Sequence, residues 1–435
     1  MSRTGQRTFV GFGLGAIQAG LFLYEAQTAG SFDRLAVAEV IPEKVRQVRE
    51  NDGYVTVNIA HSDHIEAARV GPVEVLNPAV EEDRRILVKA LASAQEIATA
   101  VPSVTFYSSH PGPDAICRIM AAGLEEKARR GGPRAVIYTA ENHNRAAEIL
   151  REQVLAALPP AEQEGVLRQV RFLNTVIGKM SGMVGDLAEI QALGLEPLTP
   201  GDGHAFLVEA FNRILISRIR FDEPGFTRGI STFVEKDDLL PFEEAKLYGH
   251  NAAHALGTYL GALLGVQRIA DLAEIPGMMP FLRRAFVEES GAILIQRHRG
   301  IDPLFTEEGY AAYADDLLER MVNPFLADLV KRVGRDPERK LGWDDRLIGT
   351  IRLGLSAGVH PSRYALGAAA ALVYLEPSYL VNSTAPGERL RSLWGDSGQN
   401  PQADQVLELI QAALAHLRHW QAEGLSDPTK LLEWP

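Results

Sequence analysis

Residues 7–20 read RTFVGFGLGAIQAG, an apolar run that breaks into three closely spaced glycines and then continues with a helical pattern. Such a strand feeds a tight turn, and the helix after it presents its positive N-terminal end to an anion. Two registers of the glycine fingerprint compete. Gly11, Gly13 and Ala16 give a clean string but cut the strand short. Gly13 and Gly15 keep the strand whole and leave Gln18 at the third position, where a glycine is usual. The second register is preferred. Gly13 then makes the turn, Gly15 lets backbone amides approach a pyrophosphate, and Leu14, Ala16, Ile17 and Gln18 complete the cradle.

The context of the glycines carries more weight than the glycines themselves. The next apolar run, RLAVAEV (34–40), ends in Glu39, where the fingerprint calls for an acidic residue. A carboxylate there bonds both hydroxyls of an adenosine ribose and repels a 2′-phosphate. No arginine follows it in EVIPEK (39–44), so NAD is expected over NADP. Two further turns fall at the same edge of the expected sheet: SSHPGPDA (108–115), shaped by Gly112 and Pro113, and the end of YTAEN at Glu141 and Asn142.

Outward from this stretch, strands alternate with helices through the first ~130 residues, the signature of a parallel sheet covered on both faces. Further strands are expected at VTVNIA (55–60), SVTFYSS (103–109) and AVIYTAEN (135–142). Helices are expected over 14–29, IPEKVRQVREN, roughly 81–99 and DAICRIMAAGLEEKARR. Helical periods then dominate: 204–219, 242–265, 267–274, 279–297, 307–333, 343–357, 361–375 and 402–422. The expected architecture is an α/β, parallel-sheet dinucleotide domain over 1–195, followed by a mostly α-helical domain over 196–435, with GLEPLTPGDG (194–203) at the boundary.

Bulk properties narrow the function. With 435 residues, two domains are the natural prior. A net charge of −12 argues against a nucleic-acid partner, which needs a basic surface. A lone cysteine, Cys117, excludes internal disulfides and cysteine-rich zinc sites and fits a reducing compartment. The apolar start is broken by glycines and lacks a cleavage signal, so a soluble cytoplasmic protein without a membrane partner is expected.

One segment of the helical half concentrates chemistry: KLYGHNAAHALGTYLG (246–261). His250 and His254 stand at metal-ligand spacing, but Asn251 occupies the position where HExxH needs a glutamate, and no third ligand is near. No zinc site is expected, and His250 alone reads equally well as a structural histidine. Lys246, Asn251 and His254 fit alcohol oxidation better. A lysine desolvated in a cleft has its pKa lowered toward working pH and can take a hydroxyl proton. An asparagine can donate to the developing oxyanion, and a histidine can orient the lysine or hold a neighbouring hydroxyl.

At these residues the chain resembles the polyol-specific long-chain dehydrogenases, the mannitol dehydrogenase family, through its K-x-x-x-x-N-x-x-H motif. The mannitol-1-phosphate 5-dehydrogenase branch is the most similar. It is matched in order by ENHNRA (141–146), the 246–261 segment, VEESGAILIQRH (287–298), NPFLADLVKRVGRDPERKLGWDDRLIG (323–349) and GVHPSRYALGAAAAL (358–372). The resemblance implies a Rossmann-type domain plus an α-helical domain, NAD(P) as cofactor, no metal for the chemistry, and the lysine as general acid/base. It makes Asn174, in FLNTVIGKMSG, a second oxyanion donor. It also maps substrate anchoring onto Arg339 and Arg346 ahead of Lys340, while Asp344 and Asp345 read as caps of the helix that follows.

Two places depart from the branch. Ala252-Ala253 stands where it has Thr-Gly, and Ile177-Gly178-Lys179-Met180 replaces a V-D-R-I segment. The expected function is an NAD-dependent oxidoreductase interconverting a polyol, specifically a polyol phosphate such as mannitol 1-phosphate, with the corresponding ketose. Its active cleft is expected between the domains, and its state is expected to be a monomer or homodimer. The alternatives are a hexuronate reductase of the same family and a catalytically silent NAD-binding protein.

Overall fold

The computed structural model describes residues 6–223, 225–382, 385–423 and 427–434. The chain divides into two compact units, Met1–Leu240 and Pro241–Pro435. Twelve strands lie in the first: β1 Thr8–Phe12, β2 Arg34–Ala38, β3 Val55–Ala60, β4 Ile65–Val70, β5 Val73–Leu76, β6 Ala94–Thr99, β7 Ala135–Thr139, β8 Val170–Val176, β9 Ser181–Val184, β10 Ala205–Glu209, β11 Leu215–Ser217 and β12 Val234–Lys236. Eight form one sheet in the order β12-β11-β8-β7-β6-β1-β2-β5. The run β5-β2-β1-β6-β7-β8 is parallel throughout and has the doubly wound order of a Rossmann-type domain, with the topological switch between β1 and β6. Central strands such as β1 (TFVGF) and β7 (AVIYT) are buried at every position, which is why their sequences run apolar without alternation.

Sequence and structure part company in four places within this unit. SVTFYSS is not a strand: the Ser103 hydroxyl caps a 3-10 turn over Val104–Ser108. The strand lies one element earlier, in AQEIAT (β6), where the expected helix over 81–99 stops at Ser93. The alanine-rich run keeps a helical period past that end, so periodicity alone could not place the stop. VTVNIA (β3) is a strand, but it joins a second sheet of order β4-β3-β10-β9, and β5 takes the place beside β2. The helical reading of 204–219 is overturned by β10 and β11, whose residues AFLVE and LIS favour a pleated, buried surface. Because β10, β11 and β12 complete the two sheets, the boundary falls at Leu240/Pro241 and not at 195/196.

The second unit is helical. Helices expected over 242–265, 279–297, 361–375 and 402–422 are present; that over 307–333 ends at Met321, just before Pro324, which cannot continue it. Its core is one cluster in which Leu256 and Tyr259 of Asn251–Leu263, Ala365 and Ala369 of Ser362–Leu375, and Ile410 and Leu414 of Pro401–Ala422 are buried together. Among the described residues no helix is long and apolar enough to cross a membrane.

Candidate active site

At the end of β1, Gly13 adopts φ +83°, and a Cβ there would lie 2.9 Å from the Ala100 carbonyl oxygen. Both features demand glycine. Its N–H donates to the Ala38 carbonyl at 2.8 Å, locking the turn to β2. Gly15 is the opposite case: a Cβ would meet nothing within 4 Å, so the chain at this position borders open space, as a pyrophosphate cradle must. Gly11 lies inside β1, which supports the register preferred from sequence, and its missing Cβ makes room for Gln18. Gln18 is fully buried and neither amide atom has a partner among the described residues, an orphaned polar group at the inner end of the expected cradle. Ile17 precedes a π-helical stretch, Gln18–Leu23.

Glu39 follows β2, as expected, but its carboxylate is not free. One oxygen accepts from the Leu14 N–H at 3.0 Å and from Lys44 Nζ at 3.2 Å, and the other accepts from the Ile41 N–H at 2.9 Å. Ribose hydroxyls must share it with these donors. Sequence reading passed over the apolar rim beside it: Val40, Ile41 and Val80 are exposed, and Val80 borders a surface pocket with Pro42 and Asn77. Such a rim suits the face of an adenine.

Glu141 is engaged within the protein. Its carboxylate is buried and accepts from Thr99 Oγ1 and the Val101 N–H, both at 2.9 Å, and from the Tyr107 hydroxyl. It therefore ties the ends of β6 and β7 together beneath the cofactor edge, and burial raises its pKa. Asn142 is exposed immediately after it, and Gly112 and Pro113 sit on an outer turn where the Gly112 N–H donates to His110 Nδ1. Asn174, on β8, is also engaged: its Oδ1 accepts from the Ala147 N–H at 2.9 Å, and its Nδ2 donates to Glu148 at 2.9 and 3.1 Å. It can act as an oxyanion donor only by exchanging Glu148 for substrate.

In the second unit, the helix begun at Leu240–Glu244 changes character. Ala245–His250 is π-helical, and an α-helix resumes over Asn251–Leu263. Residues five apart on an α-helix lie about 140° around the axis from each other. A π-helix bonds i to i+5, so the same spacing brings Lys246 and Asn251 toward one face. His254 then follows Asn251 by three residues on regular α-helix. The π segment thus gathers a set that plain α geometry would scatter.

Burial pushes the pKa of Lys246 down to about 8, the Arg346 guanidinium pushes the same way, and Glu243 opposes them. Burial, helped by Arg332, Arg346 and Lys340, lowers His254 to about 3, so its ring is neutral, and its Nε2 is buried without a partner. The Asn251 backbone N–H donates to the Lys246 carbonyl, the i to i+5 bond of the π segment. Arg346 is fixed by Asp345, whose Oδ1 accepts from both its N–H and its Nε at 2.7 Å, and among the described residues its terminal nitrogens have no hydrogen-bond partner. Asp345 is therefore not the helix cap expected from sequence; it aims an arginine. Asp344 pairs with Arg352.

The remaining candidates separate. Arg339 is half exposed and reaches Asp345 at 3.4 Å, an outer partner of the same carboxylate. Lys340 is buried, donating to the Val333 and Arg335 carbonyls, which makes it structural. His250 is buried, and burial followed by His254 holds its pKa well below the ordinary value; the two rings stand 6.5 Å apart. Among the described residues no group of three His, Cys, Asp or Glu is placed to hold a metal ion.

Both departures from the branch prove to be packing features. Ala252 and Ala253 are fully buried. Lys179 is buried too, and its Nζ reaches the Glu209 and Phe211 carbonyls and Asn212 Oδ1, stitching the β8–β9 turn to the β10–β11 loop. Sequence reading missed what anchors the lysine helix: Glu244 accepts from Arg297 Nε at 2.8 Å and lies 2.7 Å from His298 Nε2. The adjacent pair in IQRH was the available signal.

Two family models match the chain: the mannitol dehydrogenase Rossmann domain over residues 7–225 and the mannitol dehydrogenase C-terminal domain over 238–433. A mannitol-1-phosphate 5-dehydrogenase of Bacillus pumilus (strain SAFR-032) is 30% identical over 370 residues, covering 83% of this chain and 86% of that protein. Among solved structures, Pseudomonas fluorescens mannitol 2-dehydrogenase in ternary complex with NAD and D-mannitol superposes with TM-score 0.69 at 17% identity, covering 98% of this chain and 94% of that one. A substrate-free D-sorbitol dehydrogenase gives 0.73 at 16%, covering 98% and 95%. At such identities these two likenesses speak to fold.

Proposed function

This chain belongs to the mannitol dehydrogenase family and is an NAD-dependent polyol dehydrogenase; from that premise we propose that it interconverts a polyol phosphate of the mannitol 1-phosphate kind with the corresponding ketose phosphate, with Lys246 as general acid/base. The observation that supports the reading is the π-helical stretch Ala245–His250, which carries a lysine whose pKa burial pushes down to about 8 and sets Asn251 one i to i+5 step after it. NAD, when bound, supplies the hydride acceptor. Gly13, Leu14, Gly15, Ala16, Ile17 and Gln18 would cradle its pyrophosphate and Glu39 its adenosine ribose, with Gly112, Pro113 and Asn142 on the exposed turns at the same strand ends.

Neutral Lys246 takes the carbinol proton. Asn251 donates to the oxygen on which charge develops, and Asn174 is the second donor of the proposal. The His254 ring stays neutral, so Nε2 can bond a substrate hydroxyl without adding a charge that would further depress the lysine. Arg346, steadied by Asp345, offers its open fork to the substrate's phosphate, with Arg339 as an outer anchor.

A panel of polyols, each free and phosphorylated, together with hexuronates and with NAD and NADP in parallel, tests the reading. NADH production should be fastest with a hexitol phosphate. Preference for a hexuronate would replace the phosphate assignment, since a carboxylate fits the same arginine fork, and no turnover with any of them would sink the enzyme reading. The cradle has its own test. Gly13→Ala forces a Cβ onto the Ala100 carbonyl at a left-handed φ, and NADH affinity, followed by fluorescence titration, should fall about tenfold or more.

A further inference from the structure

The sequence EVIPEK contains no arginine after Glu39, but it does contain Lys44, and the fold brings that lysine back onto the carboxylate. Four contacts define the arrangement. Lys44 Nζ lies 3.2 Å from one Glu39 oxygen and 3.1 Å from the Leu14 carbonyl; the Leu14 N–H reaches the same Glu39 oxygen at 3.0 Å, and the Ile41 N–H reaches the other at 2.9 Å. Glu39 is 4% exposed. Two backbone donors and one ammonium thus converge on a single buried anion that belongs to the protein itself, at the edge where the adenosine ribose is expected.

We propose that Lys44 is a cofactor-specificity residue: with the Leu14 and Ile41 amides it forms a ready-made anion site that Glu39 keeps filled, so the chain rejects a 2′-phosphate by occupying its place. The ordinary account of an acidic residue at this position is repulsion alone, and on that account removing it merely erases discrimination. Here removal does more. It leaves the buried Leu14 N–H and the half-buried Ile41 N–H without a partner and takes the counter-charge from the Lys44 ammonium, and unsatisfied donors of this kind strongly favour an anion that can satisfy them. A phosphate on the ribose 2′ oxygen is such an anion, and charge-assisted bonds to it exceed those a hydroxyl can offer. Lys44 also holds the Leu14 carbonyl, so the cation is pinned to the glycine turn rather than swinging free.

Calorimetric titration with adenosine 2′,5′-bisphosphate and with 5′-AMP reads this directly, because neither ligand carries nicotinamide and no turnover is needed. The wild-type chain should bind 5′-AMP at least as tightly as the bisphosphate. Glu39→Ala should raise affinity for the bisphosphate relative to 5′-AMP about tenfold, one charge-assisted contact's worth, although both ligands lose the ribose contacts of the carboxylate. Adding Lys44→Met to Glu39→Ala should cancel that gain. If the double variant keeps it, repulsion alone explains the preference and Lys44 has no such role. If Glu39→Ala binds 5′-AMP but gains nothing for the bisphosphate, the anion site does not exist. Should Glu39→Ala fail to fold, Glu39→Ser, which also vacates the site but keeps a short polar side chain, carries the same expectation and the same refutation. NADPH and NADH fluorescence titrations on these variants should follow the same order.

Discussion

Lys246→Met is expected to lower turnover by about 10³-fold, the middle of what a positioned acid/base group contributes, while NADH affinity stays within twofold of wild type. The physical basis is the depressed pKa. An ordinary lysine is protonated at neutral pH and cannot accept a proton; with its pKa near 8, a usable fraction of Lys246 is neutral, and that fraction grows as pH rises. Polyol oxidation by the wild type should therefore increase through about pH 8 and level off above it. Ketose reduction needs the protonated amine as acid and should fall over the same interval. The variant should lose this titration in both directions.

Stability separates a catalytic lysine from a structural one. Burial lowers the Lys246 pKa, meaning the folded state disfavours its charge, so replacement by an apolar side chain of similar length should leave Tm unchanged or higher. A Tm that drops in step with activity would mark the residue as a packing element. Normal turnover with an unchanged Tm would end the acid/base assignment of Lys246 and hand the proton to another group.

Much of this could be read from the residues, and the reasons are local. The strand, the glycine turn and the helix from Thr8 to Thr28 are contiguous, and Gly13 announces its φ by its identity. Glu39 was found because the fingerprint fixes where the second strand ends. The misreadings share one cause: partners distant in sequence. Whether VTVNIA or VEVL sits beside β2 depends on which edge each can pair with, and both are apolar strands of ordinary composition. The partners of Glu141 were hidden in the same way, since Thr99, Val101 and Tyr107 close on its carboxylate from another strand and turn. Arg339, Lys340 and Arg346 are three cations within one short segment; only tertiary packing makes the first an outer partner of Asp345, the second a clip on two carbonyls, and the third an electrostatic neighbour of Lys246. The π segment was least accessible of all, because one inserted residue per turn leaves hydrophobic spacing almost unaltered over six residues.

That segment supports the second large prediction. Gly249→Ala should cut turnover by about 10²-fold with NADH affinity preserved, since an error of about 1 Å in placing a reacting group costs that much. Glycine to alanine inside a helix normally stabilises it by about 1 kcal/mol, so the expected loss runs against propensity and must come from packing. A Cβ at position 249 would stand 2.5 Å from the Tyr310 hydroxyl oxygen and 2.6 Å from Phe286 Cε2. Both rings are fully buried and meet edge to face at 5.5 Å, so neither can retreat cheaply. The softer response is for Ala245–His250 to give up its i to i+5 bonds and return to α geometry, turning Lys246 away from Asn251 and His254. Tyr310→Phe removes one of the two clashing atoms and a hydroxyl that is buried without a partner, so by itself it should be neutral. Combined with Gly249→Ala it should restore part of the lost turnover, a rescue that general destabilisation would not show. If Gly249→Ala turns over within twofold of wild type, the lysine does not depend on the π segment for its aim, and the Lys246–Asn251–His254 set must be assembled some other way.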